Sequence, residues 1–144
     1  SLINLKKLAG ALNTNLKEIF GRLEAKLPEA FHLGTQRGEF TVEYPKYRFR
    51  ILSYLPRQTP FFAGKVILET KGRMDSSAIA LPGFAFVQMV FGRIELHLEG
   101  KEHTLKEGQN VLFNGRLEYS LSNPLIREST AFLVSVPSFL SGQR

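Results

Sequence analysis

The sequence predicts a mainly β fold, a barrel or sandwich preceded by two short α-helices. Three observations carry that prediction. The hydrophobic period changes from helical spacing to alternation after Pro28. The alternating segments are short, and Gly, Pro or Asn interrupts them at strand-length intervals. Finally, 144 residues, 43% of them hydrophobic, suffice for one sizeable core and a small appendage.

The helical stretch is "INLKKLAGALNTNLKEIFGRLEAKL", residues 3–27. Leu5, Leu8, Ala11 and Leu12 recur at helical spacing. Asn13, Thr14 and Asn15 interrupt, and Asn15 can accept the first free N–H groups of a second helix. That helix gathers Leu16, Ile19, Phe20, Leu23 and Leu27 on one face, and Pro28 ends it. Beyond Pro28, "EFTVEY" sets Phe40, Val42 and Tyr44 against Glu39, Thr41 and Glu43, and "YRFRI" sets Tyr47, Phe49 and Ile51 against two arginines. "KVILET", "FAFVQMVFG", "RIELHLEG", "HTLKEG", "NVLFNG", "EYSLSN" and "AFLVSV" follow as further strands. The expected organisation is residues 1–27 as two helices, 28–39 as a linker and 40–144 as the barrel.

The most informative segment is "GRIELHLEGKEHTLKEGQNVLFNG", residues 92–115, which reads strand, tight turn at Gly100, strand, turn at Gly108, strand. It resembles the centre of a cupin domain, a double-stranded β-helix barrel of the jelly-roll type. The first cupin motif is similar to Gly, five residues, His-x-His, four residues, Glu, six residues, Gly. Gly72 and Gly92 fit its ends. The second runs Gly, five residues, Pro-x-Gly, two residues, His, three residues, Asn, and Gly108 and Asn123 fit its ends. The resemblance covers about residues 40–137.

At the positions where the resemblance would place metal ligands stand Ala78, Ala80, Ala85 and Tyr119. A transition metal needs several lone-pair donors at about 2 Å, and methyl groups supply none. No metal and no cofactor is therefore expected. His32 precedes the barrel, and alternation turns His97 outward, whereas His103 shares a face with Leu105. Catalytic residues are not expected either. Glu99, Glu102 and Glu107 fall around turns, and neither a serine triad around Ser76 and Ser77 nor a phosphate-binding glycine loop can be traced.

On the parity of Ala85, the side chains of Val87, Met89 and Phe91 point inward, facing Tyr119. This makes an apolar chamber with one phenol, the general make-up of a small-molecule pocket. The predicted ligand-binding residues are Tyr119, Met89, Val87, Phe91 and Ala85, with Tyr119 as the hydrogen-bonding group. The alternative is that they simply fill the core. Asn114 and Arg116 read as surface-turn residues at the mouth.

The helical stretch resembles the last two helices of the helix-turn-helix domain of phage-repressor-like bacterial regulators. Leu5, Leu8, Ala9, Leu12, Asn15, Leu16, Ile19 and Phe20 carry that likeness. The combination implies the sensor region of a dimeric bacterial transcriptional regulator whose DNA-reading helix lies ahead of Ser1, so the expectation is a trimmed DNA-binding domain with no DNA-contacting residue here. The implied partners are a small-molecule effector, DNA through the missing segment and a second copy. Cupin enzymes and a purely structural dimerisation module are the competing classes. The charge of +6 is scattered and by itself reads as a solvated surface; the lack of Cys fits a cytoplasmic location, and no apolar run reaches membrane-spanning length.

Overall fold

The computed structural model describes Gly10 and residues 31–140. The chain forms two compact units, Ser1–His32 and Leu33–Arg144. Apart from Gly10, both expected helices lie outside the described residues. No helix among the described residues is long and apolar enough to cross a membrane.

The second unit holds ten strands: β1 (Phe40–Tyr44), β2 (Phe49–Ser53), β3 (Phe62–Leu68), β4 (Arg73–Asp75), β5 (Phe84–Phe91), β6 (Ile94–Leu98), β7 (Lys101–Leu105), β8 (Asn110–Asn114), β9 (Tyr119–Ser122) and β10 (Ser129–Val136). Nine coincide with segments that alternate in the sequence. The exception is β4, whose three residues are too few to show a period.

The strands form a six-stranded sheet, ordered β1-β2-β3-β10-β5-β8, and a four-stranded sheet, ordered β4-β9-β6-β7. Pairing is antiparallel throughout, and it is nested. The hairpin β6–β7 lies at the tip, followed outward by the pairs β5–β8, β4–β9 and β3–β10. These pairs alternate between the two sheets, so the chain is one long hairpin rolled into a sandwich, the winding of a jelly roll. At its tip the turn is Glu99-Gly100, with φ of 51° and 74°. Two left-handed residues match the twist of the flanking strands, which is why Gly stands there.

The core fills the space between the inner faces. Alternation places Phe49 and Ile51 of β2, Val66 and Leu68 of β3, and Leu133 of β10 against Met74, Leu96 and Leu121 of the smaller sheet's strands, all buried. One buried polar knot ties strands to loops. The Asn123 amide nitrogen lies 3.1 Å from the carbonyls of Leu68 and Glu69 and 2.8 Å from that of Arg127, and its oxygen accepts the Leu125 N–H at 2.9 Å. Among the described residues no buried side-chain polar atom lacks a partner.

One expected orientation is corrected. Phe91 does not point inward; it is 64% exposed. Thr130 pairs with Phe91 and Ala131 with Met89, so β5 carries an extra residue, Val90, at that point. The bulge breaks the alternation that holds for Ala85, Val87 and Met89, and it turns both Val90 and Phe91 outward.

Candidate functional site

Tyr119 opens β9 on the inner face of the smaller sheet and is 2% exposed. Its ring lies 5.7 Å from that of Phe113, whose backbone pairs with Ala85. Its hydroxyl donates to the carbonyl of Ile79 at 2.6 Å. Ile79 sits between Ala78 and Ala80, so the phenol reaches the loop that carries two of the four motif positions. Burial, with the charge of Asp75 and then of Tyr44 adding to it, holds the phenol well above its ordinary range. It is a neutral donor at physiological pH, and its hydrogen is already engaged.

The four positions do not fit a metal. Ala85 is buried and Ala78 half-buried, whereas Ala80 is exposed on the loop. The only lone pairs among them belong to a protonated phenol bonded to the backbone, and no group of three or more His, Cys, Asp or Glu side chains converges among the described residues. Of the predicted ligand residues, Tyr119, Ala85, Val87 and Met89 come together in the buried interior, and Phe91 does not join them.

A cleft of about 450 Å³ adjoins Tyr119 from outside the barrel. Its walls come from β4 and the loop after it, the start of β9, the end of β6 and the Glu99-Gly100 turn; Arg73, Asp75, Ser76, His97, Glu118 and Ser120 supply the polar groups. Register explains how they meet. Asp75 pairs with Ser120, Ser120 with His97, and His97 with Glu102, so four outward residues from four strands form one rank across the smaller sheet. His97 Nε2 lies 3.4 Å from Glu102 Oε2, and Arg73 Nε lies 3.3 Å from Asp75 Oδ2.

The floor of this cleft is fixed by local hydrogen bonds. Asp75 Oδ1 accepts the N–H groups of Ser77 and Ala78, both at 3.0 Å, folding the loop that carries Ala78 and Ile79. The Ser76 hydroxyl accepts the Tyr119 N–H at 2.8 Å. Loop and β9 are therefore one unit, and Tyr119 is its inward anchor. Asn114 and Arg116 fill turn roles: Asn114 accepts the Arg116 N–H at 3.0 Å, and Arg116 Nε donates to Pro82 O at 2.8 Å.

Sequence reasoning missed this cleft. Alternation gave His97 its outward direction, and His97 and Glu102 are indeed exposed. What alternation alone left unread is the strand order that puts Ser120 and Asp75 beside His97. The signal was available in the two-residue turn, which fixes the His97–Glu102 register once Gly100 is recognised.

No protein-family model matches the chain, and no curated protein does. Solved structures do resemble it. A cupin_2 domain of an XRE family transcriptional regulator from Enterobacter cloacae superposes with a TM-score of 0.54 at 19% identity, over 60% of this chain and 94% of that one. An HTH_3 family transcriptional regulator from Vibrio cholerae gives 0.55 at 16% identity, over 66% of this chain and 55% of that one. A sugar phosphate isomerase from the cupin superfamily, from Silicibacter pomeroyi, gives 0.51 at 19% identity, over 62% of this chain and 59% of that one. At these identities the likeness is one of fold: the barrel has the fold of these cupin structures.

Proposed function

We propose that this barrel is the effector-sensing and dimerisation domain of a bacterial DNA-binding transcriptional regulator working in the cytoplasm, and that it needs no metal. The observation that carries the reading is the set of four positions where the motif resemblance would place metal ligands, which hold three methyl groups and a phenol tied to Ile79 O and so favour recognition over metal chemistry. The two regulators that share the fold support it. No described residue is assigned to DNA.

The effector seat is the outer cleft rather than the closed interior. The cleft is open and polar, with Arg73 and His97 as donors and Asp75, Glu99 and Glu118 as acceptors, and it suits a small molecule bearing both kinds of group. Tyr119, whose ring packs on Phe113, stands behind it and couples occupancy to the core through its bond to Ser76 in the loop after β4. Effector control then requires that the cleft bind more tightly in one arrangement of that loop than in another. Backbone amide shifts mapped against a panel of small polar metabolites test this. The expected result is a saturable shift centred on Ser77, Gly100 and Ser120; silence across the panel would refute sensing at this seat.

Dimerisation is assigned to the outer face of the larger sheet, and its occupant is a second copy. Ala63, Val134, Phe86 and Leu112 form one cross-strand row there, with Leu112 63% exposed. A contiguous apolar row on one face can pair with itself about a twofold axis. Sedimentation should give a dimer for the wild type and a monomer for Leu112→Asp; a dimer unaffected by that substitution would refute the assignment.

A second reading, a cupin enzyme, is favoured by one observation: His97, held beside Glu102, faces a cleft wide enough for a substrate. It predicts turnover that His97→Gln abolishes.

A further inference from the structure

A second concavity, of about 300 Å³, lies at the other end of β5 from Ala85 and the Tyr119 ring, where β5 turns into β6. Gly92, Arg93, Lys106, Glu107, Leu125 and Arg127 line it. Three cations thus meet one carboxylate. All three are exposed, and none makes an ion pair with a described residue. Glu107 is otherwise engaged, since its Oε1 accepts the Gly92 N–H at 3.0 Å.

The side chains are free, but the backbones that carry them are not. The Ser129 hydroxyl accepts the Arg93 N–H at 3.2 Å and lies 2.8 Å from the Arg93 carbonyl and 2.9 Å from Asn123 Oδ1, one of which receives its hydrogen. The Asn123 amide holds the Arg127 carbonyl at 2.8 Å. Asn123 and Ser129 are 4% and 0% exposed, so one buried knot sets the positions of both arginines. Lys106 stands in a turn closed by its own carbonyl with the Gln109 N–H at 3.0 Å, and its N–H is bonded to the Gln109 side chain at 2.8 Å. Like charges gathered round one hollow repel each other and contribute nothing to the core. Such an arrangement is explained by an anion that relieves the repulsion.

We propose that this cleft binds a compact phosphate-bearing small molecule through Arg93, Lys106 and Arg127. Two guanidinium forks and an ammonium suit a tetrahedral anion presenting several oxygens. Glu107 on the wall disfavours an extended polyanion, because the phosphates flanking the bound one in a nucleic acid would approach its carboxylate. The site stands apart from the effector cleft, and its fate does not depend on whether the protein is a regulator.

Titration calorimetry of the full chain with inorganic pyrophosphate at low ionic strength tests the proposal. One saturable site is expected, weakened at least tenfold in Arg93→Gln and in Arg127→Gln and unchanged in Lys101→Gln, which removes the same charge from the exposed β7 start. Amide shifts in the wild type provide an arm that needs no variant: Gly92, Arg93 and Leu125 should move on titration. Absence of both heat and shifts up to about 10 mM pyrophosphate, an affinity weaker than any specific site of this kind would show, overturns the proposal. Equal weakening by Lys101→Gln overturns it as well, by reducing the effect to general charge. So does binding of a random DNA duplex that requires the two arginines while pyrophosphate fails to bind.

Discussion

Replacing Tyr119 by Phe removes a single atom and separates two roles for that residue. The ring stays, so its packing against Phe113 is conserved. What is lost is the 2.6 Å bond from the phenol to Ile79 O, in a side chain 2% exposed. The net worth of such a bond is about 1 kcal/mol, and a buried carbonyl left without its donor adds a penalty of about 1 kcal/mol or more. The expected destabilisation is therefore about 2 kcal/mol, roughly 8 °C in Tm for a unit of this size. Urea unfolding followed by circular dichroism measures it. The same variant has a pH signature. The folded-state pKa of Tyr119 lies above its unfolded value near 10, so the stability it contributes is fully present below about pH 10 and declines as pH rises toward the folded pKa. Between pH 9 and pH 11 the wild type should lose roughly 1 kcal/mol that Tyr119→Phe does not lose. A variant within about 0.3 kcal/mol of wild type at pH 7, with the same pH dependence, would refute the structural role and return the hydroxyl to ligand binding.

Three further outcomes are expected. Asn123→Ala should cost about 3 kcal/mol in urea unfolding, because it strips partners from the Leu68, Glu69 and Arg127 carbonyls at once; a loss under about 1 kcal/mol would mean water replaces the knot. Met89→Ala should cost about 2–5 kcal/mol while Phe91→Ser stays within about 0.5 kcal/mol, and equal costs would place the β5 bulge wrongly. Added manganese, nickel or zinc should leave the barrel's Tm unchanged, whereas a rise of several degrees at a modest excess would reveal a donor set that Ala78, Ala80, Ala85 and Tyr119 do not supply.

Where side chains alternate without interruption, the sequence was a sufficient guide. Nine strands, the Glu99-Gly100 turn and the interior placement of Ala85, Val87, Met89 and Tyr119 all follow from a period of two and from turn chemistry. It failed at Phe91 for a specific reason. A bulge adds one residue on one strand only, and which strand carries it depends on the partner β10, some 40 residues away in the chain. It was silent on β4, where three residues cannot establish a period.

The sequence alone determined the alternating strands and the residue types at Ala78, Ala80, Ala85 and Tyr119, because residue type and spacing are local properties. Tertiary structure decided which outward side chains become neighbours. Asp75, Ser120 and His97 come from three strands, and Arg93, Lys106 and Arg127 from three separate turns; only the nested pairing of distant strands sets the register that brings each group to one cleft.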